Sequence, residues 1–363
     1  MKFSDIFSDI AKEVTSEPDE LERLLLNGNH SVVIFGAGSV GEAVAKCLSD
    51  KGIKITAFCD NNKSGIFERF NAPIVNIKTL ISDYKDAILI ICVSPLHNDN
   101  MKKQVIDAGF PKNTIFQRYN AWHYYSIDEF KQNYYDGYEW AYNFFTDDWS
   151  RDIIIHRIRG YLFHCELPYI AYEKQYFEEG FIKLSPDEVF YDIGGFDGDT
   201  SEAFIKHTDR KYKQIFFFEP DEINLSKATG KLKNFTRIHY INKACWSKED
   251  TLNFSSESGS SRLISDGNIS VSTISVDSFL NTTSDALPPT FIKMDIEGAE
   301  KEALIGAAKT IKSVKPKLAI SAYHKPQDVY ELPKLIMKYG NYMMRLSHYT
   351  PGMNETVLYA MPT

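Results

Sequence analysis

The segment Val189 to Ser201, which reads VFYDIGGFDGDTS, constrains the fold more than any other stretch of the chain. A short apolar run ends in Asp192, glycines follow, and the hydroxyls of Thr200 and Ser201 can cap the helix that comes next. The next apolar run, IFFFEP, ends in Glu219. A strand, a glycine turn, a helix and an acid at the end of the following strand predict a nucleoside-binding unit of a parallel sheet.

The spacing inside this segment departs from the dinucleotide-binding pattern. Asp192 precedes the glycines, and the segment contains no GxGxxG. In dinucleotide-binding domains that motif brings the backbone close to a pyrophosphate. The departure therefore suggests an adenosyl ligand without a pyrophosphate, and S-adenosylmethionine is the obvious candidate.

Length and charge narrow the class of protein. A chain of 363 residues is too long for one ordinary domain, so we expect two and a connecting segment. A net charge of -8 argues against a nucleic-acid partner, because phosphate recognition requires a basic surface. The five cysteines include no CxxC pair, which is typical of reduced thiols in the cytosol. The N-terminus is too acidic for a signal peptide and no apolar run reaches the roughly 18 residues of a membrane span, so we predict a cytoplasmic protein without a membrane partner.

Apolar runs alternate with helical segments along most of the chain, which predicts an α/β fold with parallel, doubly wound sheets. We expect a small Rossmann-like domain with an N-terminal helix at 1–118, a helical, aromatic-rich connector at 119–184, and an S-adenosylmethionine-binding domain at 185–363. The aromatic side chains of the connector could stack on a sugar, but their helical spacing favours packing between domains. The predicted fold class is thus two doubly wound, Rossmann-like domains joined by a helical connector.

Two further segments of the last domain carry structural signals. Two apolar runs flank Thr350 to Met353, whose central Pro-Gly pair suits a type II turn, so the sheet should end in an antiparallel hairpin, a topology that methyltransferases share. Residues 255–270 contain almost no apolar side chains. This composition predicts a mobile loop, and such loops near a cofactor often act as lids.

A second glycine motif lies in the first domain. Gly36, Gly38 and Gly41 complete GxGxxG after a strand, and Asp60 ends the next strand. This context suits a nucleotide such as NAD or a nucleotide sugar. Glycines in such a motif also serve close packing of a strand and a helix, and no hydride or proton chemistry is visible nearby. Both interpretations are open.

Four motifs of the second half of the chain support a family resemblance. They are YDIGGFDGDT at 191–200, FFEPD at 217–221, IKMDIEGAE at 292–300, and a tail that contains YHKPQD at 323–328 and HYTPGMNETVLYAMP at 348–362. From about Asp148 to its end the chain resembles the FkbM family of S-adenosylmethionine-dependent methyltransferases. Two positions depart from the family: Phe196 stands where many relatives carry Asn, and Ser347 stands where we expect a basic residue, so the substrate could differ.

The resemblance and the strand geometry imply roles for individual residues. The implied cofactor-binding residues are Asp192, Gly194, Gly195, Gly198, Glu219, Asp221, Ala244, Cys245 and Tyr176. Glu219 would accept both ribose hydroxyls, while Asp192 and Gly194 would line the methionine end. The candidate catalytic residues are Asp295, His324, Lys293 and His348, of which the two histidines are candidate proton acceptors. Glu300 and Glu302 are expected on a solvated helix face.

A metal ion is the less favoured expectation at this site. Asp295, His324 and His348 could together hold a divalent cation, but their spacing matches no strong ligand motif. We therefore predict no metal.

We predict an S-adenosylmethionine-dependent O-methyltransferase that acts on a hydroxyl of a sugar, a glycan precursor or a related small metabolite. The alternative is a nucleotide-sugar- or NAD-dependent enzyme that works through the first domain. A non-catalytic module is disfavoured, because a degenerate site would be free to lose Asp192, Glu219 and Asp295. The expected partner is a small, sugar-containing acceptor, and a homo-oligomer stays open.

Overall fold

The computed structural model describes residues 2–14, 21, 24–25, 30–50, 52–93, 95–117, 125–163, 165–178, 180–257, 260–263 and 269–363. The chain forms two compact units. The first comprises Met1–Gln132, His156–Leu167 and Thr350–Met353, and the second comprises Asn133–Ile155, Pro168–Tyr349 and Asn354–Thr363. The three-part division at 118 and 184 stays a prediction.

The first unit is built around a mostly parallel sheet. Its elements are α1 (Phe3–Val14), β1 (Val32–Phe35), α2 (Ser39–Asp50), β2 (Ile55–Cys59), β3 (Gly65–Phe67), β4 (Ala72–Val75), α3 (Ile77–Asp83), β5 (Ile88–Ile91), α4 (Pro95–Asp107) and β6 (Ile115–Gln117). The strand order is β3-β4-β2-β1-β5-β6, and only the β3–β4 pair is antiparallel among these strands. Strands β1 and β5 read VVIF and ILII because both of their faces are buried.

Three helices follow in the chain: α5 (Ile127–Asn133), α6 (Tyr135–Phe144) and α7 (Asp148–Leu162). They coincide with part of the predicted helical connector. Residues 118–124, which include the first aromatic side chains of that prediction, lie outside the described residues.

The second unit contains a larger sheet. Its remaining elements are β7 (Val189–Ile193), α8 (Asp199–His207), β8 (Gln214–Phe218), α9 (Glu222–Lys231), β9 (Ile238–Ile241), β10 (Ala244–Cys245), β11 (Thr251–Glu257), β12 (Ser260–Leu263), β13 (Ile269–Ile274), α10 (Val276–Thr282), β14 (Phe291–Met294), α11 (Glu300–Gly306), α12 (Ala308–Val314), β15 (Lys317–Ser321), α13 (Asp328–Met337), β16 (Tyr342–His348) and β17 (Thr356–Pro362). The seven-stranded sheet has the order β16-β17-β15-β14-β7-β8-β9.

The strand order of this sheet predicts where a ligand would bind. The chain moves outward from β7 to β8 and β9, and then returns to β14 on the other side of β7. The switch point therefore lies between β7 and β14, which pair in parallel from Phe291 with Phe190 to Met294 with Ile193. Ligands of open α/β sheets bind where the strand order reverses, beyond the carboxyl ends of the strands.

The two ends of the second unit differ from the parallel centre. Strands β16 and β17 pair antiparallel from Tyr342 with Pro362 to His348 with Thr356, so the predicted antiparallel pair is present. The type II turn is a correction, because the seven residues 349–355 connect the strands and Gly352 lacks the positive φ that such a turn requires. A small sheet of order β10-β13-β11-β12 accompanies the main one. It corrects the predicted loop at 255–270, because the end of β11, β12 and the start of β13 fall there, while 258–259 and 264–268 lie outside the described residues. The polar, serine-rich residues at 255–263 give little hydrophobic contrast, so the sequence pattern did not reveal these strands.

The fold-class prediction is confirmed: both units are α/β with a mostly parallel sheet. Along the described part of the chain, no helix has the length and apolar character needed to cross a membrane.

Candidate active site

The loops after β7 and β14 meet at the switch point. Gly194 follows β7 with a φ of +76°, in the left-handed region that favours glycine. A Cβ at this position would lie 1.9 Å from the carbonyl oxygen of Asp295, which follows β14. Only a glycine therefore allows the two loops to approach this closely.

A buried ion pair supports the glycine loop that follows β7. The carboxylate of Asp192 is fully buried, and Lys293 Nζ lies 3.1 Å from its Oδ1. The same ammonium donates to the carbonyl oxygen of Gly194 at 2.6 Å. Burial alone would lower the pKa of Lys293, but the charges of Asp192 and Asp295 raise it above its usual value. Ser201 Oγ donates to Asp192 Oδ2 at 2.6 Å, so this hydroxyl supports the acid and does not cap the helix as expected.

Glu219 follows β8 and faces the glycine loop. Its Oε2 accepts the backbone N–H of Phe196 at 2.9 Å, and its Oε1 accepts that of Asp221 at 2.9 Å. Each carboxylate oxygen has a second lone pair, so both can accept one more hydrogen bond. Burial raises the pKa of Glu219 above its usual value.

A cavity of about 370 Å³ opens between these loops, within the size range of ligand pockets. Seven of the predicted site residues line it: Tyr176, Gly194, Glu219, Ala244, Cys245, Lys293 and Asp295. The lining also includes residues that sequence reasoning did not assign to the site, among them Tyr172, Phe196, Asp199, Trp246, Tyr323 and Glu355. The cavity therefore joins the glycine loop, the acid after β8 and the acid after β14.

Two tyrosine hydroxyls converge on Asp295. Tyr176 donates to Oδ2 at 2.7 Å, and Tyr323 donates to Oδ1 at 3.3 Å. Burial alone would raise the pKa of Asp295, but the charges of His324 and Lys293 and the Tyr176 hydrogen bond lower it below its usual value. Asp295 is therefore an anion held in a fixed position and a poor proton acceptor.

His324 lies beside the cavity lining, among three acids. Its Nδ1 is 3.0 Å from Glu300 Oε1, and its Nε2 is 3.5 Å from both Asp295 Oδ1 and Glu297 Oε2. Burial alone would lower the pKa of His324, but the charges of Glu300, Asp295 and Glu297 raise it to about 10. Glu300 is 1% exposed, which corrects the expectation of a solvated helix face. Its Oε1 accepts the backbone N–H of Ile296 at 2.9 Å, because the chain turns into α11 there.

Several predicted site residues do not line the cavity. His348 is fully buried, and its Nδ1 lies 2.8 Å from Thr356 Oγ1 on the neighbouring strand. Asp221 caps α9 by accepting the backbone N–H of Asn224. Ser347, the second departure from the family, is buried and donates to Glu178.

The remaining predicted cofactor residues are buried and do not line the cavity. Asp192 is covered by Lys293 and Ser201, as described above. Gly195 packs against the ring of Phe217, and Gly198 precedes α8 beside Ala228. Their contact with a cofactor stays a prediction.

Glu355 is the most informative residue that sequence reasoning missed. It lies between β16 and β17, lines the cavity, and accepts Gln175 Nε2 at 2.6 Å. Burial and then the charge of Asp295 raise the pKa of Glu355 to about 7. The signal was its position in the tail motif, beside the Pro-Gly pair, but only the hairpin register brings it to the cavity.

The glycine motif of the first unit has a different environment. A Cβ on Gly41 would lie 1.8 Å from the carbonyl oxygen of Gly36, so this glycine is required where α2 packs on the loop after β1. Asp60 Oδ2 accepts the N–H of Ala37 at 2.9 Å, and its Oδ1 accepts those of Asn62 and Lys63 at 2.8 and 3.0 Å. Burial alone would raise the pKa of Asp60, but these backbone hydrogen bonds lower it.

The second unit thus has the fold of a class I S-adenosylmethionine-dependent methyltransferase: a glycine loop at the switch point, an acid after the next strand, and a terminal antiparallel pair. Residues 192–344 match the family model described as the methyltransferase FkbM domain. Residues 192–344 are thus similar to FkbM methyltransferase domains, and this match supports an S-adenosylmethionine-dependent methyltransferase. Residues 28–116 match a second family model, described as C2185-like, N-terminal.

A full-length solved structure is similar to this chain in fold. The crystal structure of methyltransferase FkbM from Methylobacillus flagellatus is 21% identical, covers 98% of this chain and 98% of that one, and superposes with a TM-score of 0.69. A precorrin-6y C5,15-methyltransferase from Geobacter metallireducens is 15% identical, covers 50% of this chain and 82% of that one, and has a TM-score of 0.32. Fibrillarin from Aeropyrum pernix with bound S-adenosyl-L-methionine is 12% identical, covers 50% of this chain and 71% of that one, and has a TM-score of 0.34. No curated protein matches the chain.

Proposed function

We propose that the chain transfers a methyl group to a hydroxyl of a small, sugar-containing acceptor. One observation carries this proposal. The cavity beside the glycine loop is also lined by Asp295, Glu355, Tyr176 and Tyr323, and both tyrosine hydroxyls donate to Asp295, so groups that hold and accept protons line it together. A hydroxyl acceptor must lose a proton during methylation, and such groups serve that need.

The residues around the cavity fit S-adenosylmethionine. The free lone pairs of Glu219 suit the two ribose hydroxyls, and Ala244, Cys245 and Trp246 suit the adenine. The bare backbone of Gly194 leaves room for the methionine end near the switch point. When bound, the cofactor supplies an electrophilic methyl group on a sulfonium centre.

Glu355 is the proton acceptor in this proposal. Its raised pKa of about 7 allows the carboxylate to take a proton near neutral pH and to release it afterwards. Asp295, whose pKa is lowered, instead accepts hydrogen bonds and fixes the tyrosines. Lys293 holds the glycine loop in place by donating to the carbonyl oxygen of Gly194. His324 influences the site through its ion pairs with the surrounding acids.

The lining also bears on the acceptor class. The rings of Phe196 and Tyr172 line the cavity and are partly exposed, which suits the apolar face of a sugar. Acids outnumber cations in the lining, where Asp199, Glu219, Asp295, Glu297 and Glu355 face Lys243 and Lys293. An excess of negative charge disfavours phosphorylated acceptors and nucleic acid.

A labelling experiment tests the acceptor class. The full chain is incubated with methyl-tritiated S-adenosylmethionine and a metabolite extract, and labelled products are identified by mass spectrometry. We expect an O-methyl group on an uncharged, sugar-containing molecule. Label on nitrogen, on carbon or only on phosphorylated sugars would contradict the proposal.

Two variants test the residue roles. Glu219→Ala should weaken S-adenosylmethionine binding about tenfold to a hundredfold in isothermal titration, because a hydrogen bond to a charged group contributes about 1.5–3 kcal/mol. Glu222→Ala, on the exposed start of α9, is the matched control and should bind normally. Equal affinity in the two variants would remove the ribose assignment.

Glu355→Gln keeps an oxygen for the Gln175 hydrogen bond but cannot accept a proton. We expect kcat to fall about 10²- to 10⁴-fold, with cofactor affinity retained. The wild-type rate should rise with pH through about 7, and the variant should lose this rise. A normal kcat would return the base role to another residue.

No observation on the described residues favours the alternative enzyme, because the oxygens of Asp60 already accept three backbone N–H groups. A nucleotide in the first unit, a homo-oligomer and a cytoplasmic location stay predictions.

A further inference from the structure

Three ligand-type side chains converge beside the cavity. Asp295 follows β14, Glu300 begins α11, and His324 follows β15. Each offers one atom of a kind that binds metals, and these atoms all lie within 4.8 Å of one another. The group arises at the switch-point edge of the sheet, since two of its members follow neighbouring parallel strands.

Two of the three side chains, those of His324 and Glu300, are buried and have polar atoms without a hydrogen-bond partner. The side chain of His324 is 9% exposed and that of Glu300 is 1% exposed. Within the described residues, neither ring nitrogen of His324 makes a well-formed hydrogen bond, and Glu300 Oε2 makes none. Buried polar atoms nearly always have partners, so unpartnered ones point to a group that the protein chain alone does not supply.

Charge leads to the same conclusion. Asp295, Glu297 and Glu300 surround one imidazole. The nearby ammonium of Lys293 lies 3.1 Å from Asp192, so that acid shares its charge. These three acids outnumber the single imidazole, and a metal ion is one of the ways in which proteins compensate a buried carboxylate such as Glu300.

The spacing of the atoms suits one shared ion. Two ligands that each lie about 2.1 Å from an octahedral ion are about 3.0 Å apart, and around a tetrahedral ion about 3.4 Å. His324 Nδ1 lies 3.0 Å from Glu300 Oε1, and the ligand atoms of all three side chains lie within 4.8 Å of one another, so small side-chain rotations would bring them around one ion. One ring nitrogen can bind the ion while the other donates to a carboxylate, which is how histidine ligands are usually oriented.

We propose that Asp295, Glu300 and His324 form a binding site for a divalent metal ion. Two carboxylates and one imidazole suit a first-row ion such as Mn²⁺, which accepts both oxygen and nitrogen ligands. Glu300 replaces His348 of the cation set considered from the sequence, because His348 lies against Thr356. Asp295 also lines the cavity, so the ion would bind next to the acceptor.

A role for the ion rests on the proposed function, whereas its binding does not. A divalent cation beside a hydroxyl lowers the pKa of that hydroxyl and thereby eases its deprotonation. The test therefore measures binding of Mn²⁺ alone, without cofactor or acceptor. Its failure would leave the methyl-transfer proposal standing, and a failed acceptor screen would leave the metal site standing.

The full chain is treated with a chelator, dialysed and titrated with MnCl₂, while electron paramagnetic resonance reports free Mn²⁺. We expect saturable binding of one ion per chain. Glu300→Gln and His324→Gln should each weaken this binding about tenfold or more, since changes around metal sites cost about 10–100-fold. Gln at position 300 keeps an oxygen for the Ile296 hydrogen bond, so the start of α11 should be preserved.

Glu302→Gln, on the same helix but outside the cluster, is the matched control and should bind Mn²⁺ like the wild type. Retained S-adenosylmethionine binding would show that each variant is folded. As a second readout, Mn²⁺ should raise the melting temperature of the wild type but not that of Glu300→Gln. Absence of saturable binding to the wild type, or wild-type affinity in both Glu300→Gln and His324→Gln, would overturn the proposal.

Discussion

The two units carry the same local design at their switch points, yet they use it differently. In each, a glycine loop follows a central strand and an acid follows the next strand of the sheet. In the first unit Asp60 accepts three backbone N–H groups, and Lys63 Nζ donates to the carbonyl oxygen of Ala37 at 2.6 Å. In the second unit Glu219 accepts only two and keeps lone pairs toward a cavity.

The two loops therefore differ in how much hydrogen-bonding capacity their acids keep. The glycine spacing of the first unit is the more conventional for a nucleotide, but its own backbone uses three of the four lone-pair sites of Asp60. The spacing of the second unit is the less conventional, and its acids remain available or crowded together. Unused hydrogen-bonding capacity beside a cavity therefore indicates a ligand site better than glycine spacing does.

The largest expected effect comes from Gly194→Ala. The new Cβ would lie 1.9 Å from the backbone oxygen of Asp295, and the φ of +76° disfavours a side chain. We expect the free energy of unfolding to fall by about 3 kcal/mol, the sum of conformational strain and overpacking. S-adenosylmethionine affinity should fall with it, as calorimetry and denaturant unfolding would show.

Gly38→Ala in the other glycine motif is the matched control. A Cβ there would meet no atom of the described residues within 4 Å, so stability should change by less than about 0.5 kcal/mol. Normal cofactor binding by Gly194→Ala would contradict a ligand-binding role for the glycine loop of the second unit. Binding of NADH or a nucleotide sugar by the wild type, abolished in Gly38→Ala, would show that the first unit binds a ligand as well.

The next prediction concerns how one acid in each unit, Asp328 and Asp60, makes stability depend on pH. Asp328 is buried near Glu300, and burial and that charge raise the pKa of Asp328 to about 7. The folded state therefore keeps a proton between about pH 4 and 7 that the unfolded state has released. Stability should fall as pH rises through this window, by at most about 1.4 kcal/mol per pH unit. Asp328→Asn should flatten this slope in urea unfolding of chelator-treated protein.

Asp60 in the first unit should make stability change with pH in the opposite direction. Its pKa is lowered below 3.8 by backbone hydrogen bonds, so its contribution is complete above pH 3.8 and is lost only as pH falls further. Asp60→Ala should therefore reduce stability without altering the slope between pH 4 and 7. An unchanged slope in Asp328→Asn would contradict the crowding of acids in the second unit.

The fold was predictable because its signals are local. The apolar runs of the parallel strands, the Pro-Gly pair between the last two strands and the acids at strand ends follow from chain-neighbour patterns, and the strand order then brings Asp192, Glu219 and Asp295 together. The antiparallel strands at 255–270 were missed because their polar, serine-rich sequence has little hydrophobic contrast.

The rest of the site depends on register and burial, which one sequence does not fix. Glu355 reaches the cavity because His348 pairs with Thr356, and the same register buries His348 away from it. Glu300 looked like a surface residue, since its sequence neighbours are charged, but the turn into α11 directs it to His324. Such side chains are placed by tertiary packing and not by local pattern.

The smallest expected effect concerns Phe196, which has a φ of +50° and is 49% exposed at the cavity. Asparagine tolerates this left-handed conformation better than phenylalanine, so Phe196→Asn should raise the free energy of unfolding by about 1 kcal/mol. The backbone N–H to Glu219 is kept, so cofactor affinity should not change. Because the ring is exposed in the cavity, kcat/KM for the acceptor should fall several-fold. Lys315→Asn, at a φ of +53° on an exposed helix end, should give the same gain in stability with normal kinetics. If both variants were equally active, Phe196 would be a tolerated strain and not an acceptor contact, and the cavity of the second unit would lose its main argument for a sugar.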